Sequence, residues 1–381
     1  MCGAYSGGGP VKVGSWNEWD PLRHVVVGRA DGTMVQAPEP AVVRDWPEHG
    51  FPRGTYGPLP EEMTAAANEQ LDAFSRALEA RGIRVDRPRP LDFSRPVATP
   101  EWSQRSMFGA MPVRDVLVVI GNELLEATMS FRSRWFEYLA HRPLIESWFR
   151  ADPDMRWEAA PKPRLTEASY RPGFWEEYEA LPFEERIAKV RTGELVLTEA
   201  EPLFDAADIT RCGKDLFVQR SLATNAAGIR WLRQHLPEHR VHGVTFGNAH
   251  PMHIDATWVP LRPGLVLHCA ERPAEEELLH HLKVNDWQVV QAAAPGRTDP
   301  PPLSACSRWL SMNVLVLDPG TVCVEASETA QMEQLNRLGF EVVPVPFWDV
   351  APFGGGLHCA TLDVHREGVL EDYFPRRSGR F

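Results

Sequence analysis

Cysteine, histidine and aspartate are the residue types in this 381-residue chain that could carry covalent chemistry, and one cysteine stands apart from the other five. Cys359 follows three glycines in Gly354-Gly355-Gly356-Leu357-His358-Cys359-Ala360-Thr361-Leu362-Asp363-Val364. Glycines let the backbone approach a ligand closely, so the run places the thiol at the mouth of a strand that follows. Cys269 and Cys323 lie in apolar runs and read as packed structural thiols. A thiol nucleophile needs a proton shuttle and a group that orients the shuttle. His253, in His250-Pro251-Met252-His253-Ile254-Asp255, is the best candidate, because an acid two positions on in an extended segment, Asp255, would project to the same side. The alternative is a solvent-facing loop histidine. His250 and His253 also suggest a metal pair, but no third ligand stands at a recognisable spacing.

Asp205 and Asp208, in Phe204-Asp205-Ala206-Ala207-Asp208, precede an apolar run and are flanked by small residues. Either could accept the second imidazole N–H, and either could be a turn or cap residue. Asp115, in Pro112-Val113-Arg114-Asp115, carries the same two readings.

These residues sit beside short apolar runs that predict strands at 24–27, 116–120 and 215–218. Runs 256–261 and 265–267, joined through Arg262-Pro263-Gly264, predict a hairpin, as do 313–317 and 322–324, joined through Asp318-Pro319-Gly320. Helical spacing appears at 60–81, 226–236, 273–282 and 327–338, and a further strand is expected at 341–345. A strand-strand-helix-strand unit thus recurs, with long insertions in the first half of the chain. Periodicity leaves open whether such units build one open mixed sheet or a radial array. Residues 151–203, rich in Pro, Glu and aromatics, read as an insertion or lid-like excursion, because apolar patterning resumes directly after them. One domain spanning 1–381 is expected.

Composition narrows the function classes. The net charge of −12 disfavours nucleic acid, whose phosphates demand basic patches. No apolar stretch reaches the roughly 20 residues that span a bilayer, and residues 1–10 resemble no targeting signal, so no membrane partner and a cytoplasmic location are expected. Six cysteines are too sparse for a disulfide framework and lack zinc-type spacing, so no metal is expected.

Taken together, the motifs resemble the arginine:glycine amidinotransferase family of the guanidino-group-modifying superfamily. The matching stretches are 17–22 (Asn-Glu-Trp-Asp-Pro-Leu), 111–115, 121–123, 160–163, 204–208, 252–257, 309–313 and 354–364. The resemblance implies an α+β fold, a five-bladed pseudo-symmetric α/β propeller (the pentein fold) of ββαβ modules around a central channel. It implies Cys359 as nucleophile, His253 as general acid and base, and Asp205 as its orienting partner. Asp115 and Asp255 would grip a guanidinium, and Arg272 and Ser307 would bind the amino acid's carboxylate end.

By the same resemblance, the amidino group of L-arginine passes through Cys359 to a primary amine, releasing L-ornithine, with no cofactor. Met252 beside His253 resembles enzymes that use glycine; a small amine of an antibiotic pathway is the other acceptor considered. Cys306, next to Ser307, departs from the serine of glycine-specific members. An arginine deiminase or hydrolase of the same superfamily and a non-catalytic arginine-binding protein are the competing readings. Members of the family are often homodimers.

Overall fold

The computed structural model describes residues 11–42, 56–297, 299, 303–304 and 306–381. The first ten residues, read above for targeting signals, lie outside this set.

Five three-stranded sheets among the described residues share one plan: an antiparallel pair, then a helix, then a strand parallel to the second. The parallel pairing requires a crossover, and the helix supplies it. In the sheet that joins the two ends of the chain, Thr361–Arg366 pairs antiparallel with Leu22–Val27, and helix Glu61–Glu79 leads to Arg84–Asp86. The second sheet runs Leu117–Ile120, Glu123–Glu126, helix Tyr138–Ala151, Arg156–Ala159. The third runs Ile209–Cys212, Asp215–Gln219, helix Ala226–His235, Arg240–Val244. The fourth runs Trp258–Arg262, Leu265–His268, helix Glu276–Val284, Gln288–Gln291. The fifth runs Leu315–Asp318, Thr321–Glu325, helix Thr329–Arg337, Glu341–Val345.

Gly121 and Gly213, each with positive φ, open the two-residue turns of the second and third hairpins, where an L side chain would be strained. Strands Leu117–Ile120 and Glu123–Glu126 are buried throughout, whereas the third strands Arg156–Ala159 and Gln288–Gln291 are half exposed. Apolar side chains therefore concentrate on the first two strands of each unit. Fully burying a Val or Leu there contributes about 1.5–3 kcal/mol.

Several expected boundaries move. The strand expected at 256–261 begins at Trp258, because Ile254–Ala256 is a turn of 3₁₀ helix. The strand expected at 313–317 is Leu315–Asp318, and the helix expected from 273 starts at Glu276. The supposed excursion at 151–203 is shorter: Ala151 ends a helix, and Arg156–Ala159 completes the second sheet. Of that stretch, 160–203 departs from the plan, with helices Phe174–Ala180 and Phe183–Thr192. No helix among the described residues is long and apolar enough to cross a membrane.

Candidate active site

Each sheet delivers one polar residue just upstream of its first strand: Asp115, Asp205, Asp255, Asn313 and Cys359. The repeated plan thus brings chemistry from five distant parts of the chain to equivalent positions. Backbone bonds tie these segments together, since the Arg114 N–H donates to the Cys359 carbonyl at 3.2 Å.

The Cys359 thiol is 4% exposed. It donates to Asp255 Oδ2 at 3.5 Å and accepts from the Asn313 side-chain amide at 3.2 Å. Asn313 Oδ1 in turn accepts the backbone N–H of His358 at 2.9 Å and of Cys359 at 3.0 Å. Gly355 shows why glycine precedes the cysteine: with φ +152, a Cβ there would lie 2.6 Å from the sulfur. Burial, then the charges of Asp255 and Asp115, push the thiol well above its ordinary value.

His253 faces acids on both ring nitrogens, with Nε2 3.2 Å from Asp205 Oδ2 and Nδ1 3.6 Å from Asp115 Oδ1. Burial opposes its charge, but Asp115, Asp205 and Asp208 outweigh burial and raise its pKa to about 10. Its backbone has φ +56, an uncommon conformation for a residue with a side chain. Asp208 supports this group from behind. Its Oδ2 accepts from Ser221 and Thr224 at 2.6 Å each, and Thr224 Oγ1 accepts the Asp205 backbone N–H at 3.2 Å. Burial pushes the Asp208 carboxyl up to about 7.

Asp255 does not reach this site by strand alternation with His253, as the extended reading assumed. The 3₁₀ turn and the positive φ of His253 break the alternation, and Asp255 instead meets His358 Nδ1 at 2.8 Å. Asp115 Oδ2 is already occupied by Arg134 at 2.7 Å, which leaves Oδ1 as its open oxygen.

Arg272 and Ser307 lie together, with Arg272 Nη2 donating to Ser307 Oγ at 2.6 Å and Nη1 to the Ala256 carbonyl at 3.0 Å. Ser307 and Cys306 line a pocket that also touches Asn313, Gly356 and Leu357, next to the cysteine loop. The Cys306 thiol donates to the Ala351 carbonyl at 3.4 Å. Met252 is partly buried and packs against the aromatic cluster that includes Trp102, Phe131 and Tyr170. Asn313, Arg134 and Glu18 carry no role in the sequence reading; Asn313 and Glu18 lie inside matching stretches, but an amide and an acid alone do not announce what they hold.

No family model matches the chain. Among solved structures, it superposes on a dimethylarginine dimethylaminohydrolase with a TM-score of 0.52 at 14% identity, covering 90% of this chain and 99% of that one. Nearer neighbours are an amidinotransferase of the saxitoxin biosynthetic pathway from Microseira wollei and the inosamine-phosphate amidinotransferase of Streptomyces griseus. The first gives a TM-score of 0.82 at 38% identity, the second 0.81 at 34%, each covering 95% of this chain and 99% of its own. The fold is therefore the pentein fold of enzymes that act on guanidino groups. Among curated relatives, the mitochondrial glycine amidinotransferase of Danio rerio is 41% identical over 362 residues, 94% of this chain and 84% of its own length. The L-arginine:L-lysine amidinotransferase of Pseudomonas savastanoi pv. phaseolicola is 39% identical over 367 residues, 95% and 96% of the two chains. With such identity along nearly the whole length, the chain belongs to the amidinotransferase family and is an enzyme of that type.

Proposed function

We propose that this enzyme takes the amidino group of L-arginine onto Cys359 and passes it to a small primary amine. The observation that carries the reading is the cluster of buried carboxylates beside Cys359 and His253, in which Asp115 keeps one oxygen, Oδ1, that accepts no hydrogen bond within the protein. A guanidinium, with five N–H donors and a charge that persists at any working pH, is the complement of such a cluster.

Asp115 and Asp255 receive the N–H fork and set the guanidinium carbon against the sulfur. The bound cation offsets the acids that hold Cys359 as a thiol, so once arginine is seated the thiol releases its proton to solvent and the thiolate forms. Sulfur attacks the central carbon. His253, oriented by Asp205, protonates the departing nitrogen as the carbon–nitrogen bond to ornithine breaks, which leaves an amidino-Cys359 adduct, an S-substituted isothiouronium. An acceptor amine then attacks the amidino carbon and gives its proton to His253, and the carbon–sulfur bond breaks to restore the Cys359 thiolate, which regains its proton from solvent when the site empties. Arg272 and Ser307 bind the carboxylate end of the amino acid, and Met252 borders the acceptor. The thiol itself carries the group, so this scheme uses no cofactor.

The five sheets are read as blades of a five-bladed propeller around a channel, in one catalytic domain. The reading extends to a cytoplasmic homodimer, to be tested by cell fractionation and sedimentation. Relatives of similar identity are named for glycine, for lysine and for inosamine phosphate, so identity does not select the acceptor. Glycine leads because of Met252, with an amine of an antibiotic pathway second. Arginine offered with a panel of amines, read as ornithine and guanidino product, tests the proposal. Citrulline as the product would replace it with the hydrolase reading.

A further inference from the structure

A line of contacts leaves Cys359 in a direction that the chemistry above does not use. Asp255 Oδ2 faces the thiol at 3.5 Å and also meets His358 Nδ1 at 2.8 Å. The far nitrogen of the ring, Nε2, lies 3.5 Å from Glu18 Oε2. Glu18 is fixed in turn by Arg211, whose Nε and Nη2 donate to its two oxygens at 2.8 and 2.7 Å, and Arg114 stands 3.7 Å away. The His358 backbone is held as well, its N–H on Asn313 Oδ1 and its carbonyl on Arg114 Nε at 2.9 Å each. Ring and backbone are thus pinned from Asp255, Glu18, Arg114 and Asn313. Both Glu18 and His358 belong to sequence motifs that the proposed mechanism leaves without a role.

The arrangement answers a conflict inside the site. Asp255 is needed near the guanidinium, yet a carboxylate beside the sulfur opposes the thiolate, and its charge adds to burial in holding the thiol up. A donor on the oxygen nearest the sulfur eases that conflict, because it draws negative charge away from the sulfur. Despite burial, the hydrogen bond and charge of His358 hold Asp255 below the usual carboxylate range.

We propose that His358 is a positioning residue: its Nδ1–H fixes Asp255 Oδ2 and shields Cys359 from that oxygen's charge, while Glu18 fixes the ring. The proposal rests on the reading of Cys359 as nucleophile. In this role His358 acts through Asp255.

Two near-isosteric variants separate this role from general packing. In His358→Asn the side-chain amide nitrogen falls near the place of Nδ1 and still serves Asp255; in His358→Gln it falls near Nε2 and serves Glu18 instead. On the full chain, the rate at which iodoacetamide modifies Cys359 is followed by peptide mass at one fixed pH, without arginine, alongside kcat and KM for arginine. The asparagine variant is expected within about threefold of the parent, and the glutamine variant to lose about tenfold or more in alkylation rate and kcat, since small misplacements at a reacting group are costly. Equal rates for the two variants, or the reverse order, overturn the proposal. Should His358→Gln not fold, Glu18→Asp, which withdraws the carboxylate from the ring while keeping a charge for Arg211, is expected to slow alkylation, and parent-like alkylation overturns the proposal. Alkylation needs no arginine, so an enzyme that released no ornithine would defeat the substrate assignment and leave this test standing.

Discussion

Asn313 holds Cys359 at two points at once, donating its amide to the sulfur at 3.2 Å and accepting the cysteine's backbone N–H on Oδ1 at 3.0 Å. One side chain therefore sets both the backbone that carries the proposed nucleophile and the direction of the sulfur. Asn313→Ala is expected to lower kcat by about 10²-fold or more, as for loss of a preorganised donor at a reacting atom. It also leaves the Cys359 backbone N–H without its acceptor and the His358 N–H with the Asn313 carbonyl at 3.3 Å, a cost of about 1–3 kcal/mol that chemical denaturation would read. A folded variant with unchanged kcat would remove Asn313 from the account.

The thiol of the free enzyme should be sluggish. Burial, Asp255 and Asp115 all push Cys359 well above the ordinary 9.0, so the thiolate fraction is small at neutral pH and grows only as pH rises past that value. The alkylation rate of Cys359 is expected to be low at neutral pH and to climb without a plateau through pH 9. A plateau near neutrality would show a preformed thiolate and contradict the substrate-gated scheme.

His253 links the site to stability. Its folded pKa, about 10, lies above the ordinary 6.5, because Asp115, Asp205 and Asp208 outweigh burial. The stabilisation from its charge is therefore fully present below pH 6.5 and is lost as pH rises through about 10. Asp115 and Asp208 are themselves pushed up by burial, so the cluster titrates as a unit. His253→Gln carries no such charge. The stability difference between parent and variant is expected to shrink between pH 6.5 and 10; a difference that grows over that interval would reverse the assigned sign.

Arg134 makes a separate prediction about what holds Asp115. Its guanidinium meets Asp115 Oδ2 at 2.7 Å and Glu137 Oε2 at 2.9 Å, and all three side chains are buried. Arg134→Met would strand two buried acids, at a cost of about 3–5 kcal/mol, which thermal or urea unfolding measures. Unchanged stability would mean that Asp115 is not set by this ion pair.

Much of the framework is legible in the sequence because it rests on continuous apolar runs. Leu117–Ile120 and Leu265–His268 are buried throughout and announce themselves as strands, and helix Glu61–Glu79 shows its periodic face. The outer strands Arg156–Ala159 and Gln288–Gln291 are half exposed and read as polar segments, which is why the first falls inside the expected excursion. In the site, Cys359, His253 and Asp205 stand out by residue type and neighbours, and the structure brings His253 and Asp205 within 3.2 Å. The partnership of Asp255 with His358 was not legible, because it depends on a 3₁₀ turn and a positive φ that local pattern does not encode. Nor was that of Asp115 with Arg134, a contact between side chains 19 positions apart.

The proposed mechanism stands on Cys359 as the carrier of the amidino group. Incubating the full chain with L-arginine alone, without an acceptor, and weighing the intact protein tests it most directly. One amidino group is expected to be added per chain, mapped to the Cys359 peptide, lost on adding a productive amine, and absent in Cys359→Ala. No adduct, or an adduct that persists in Cys359→Ala, would contradict it.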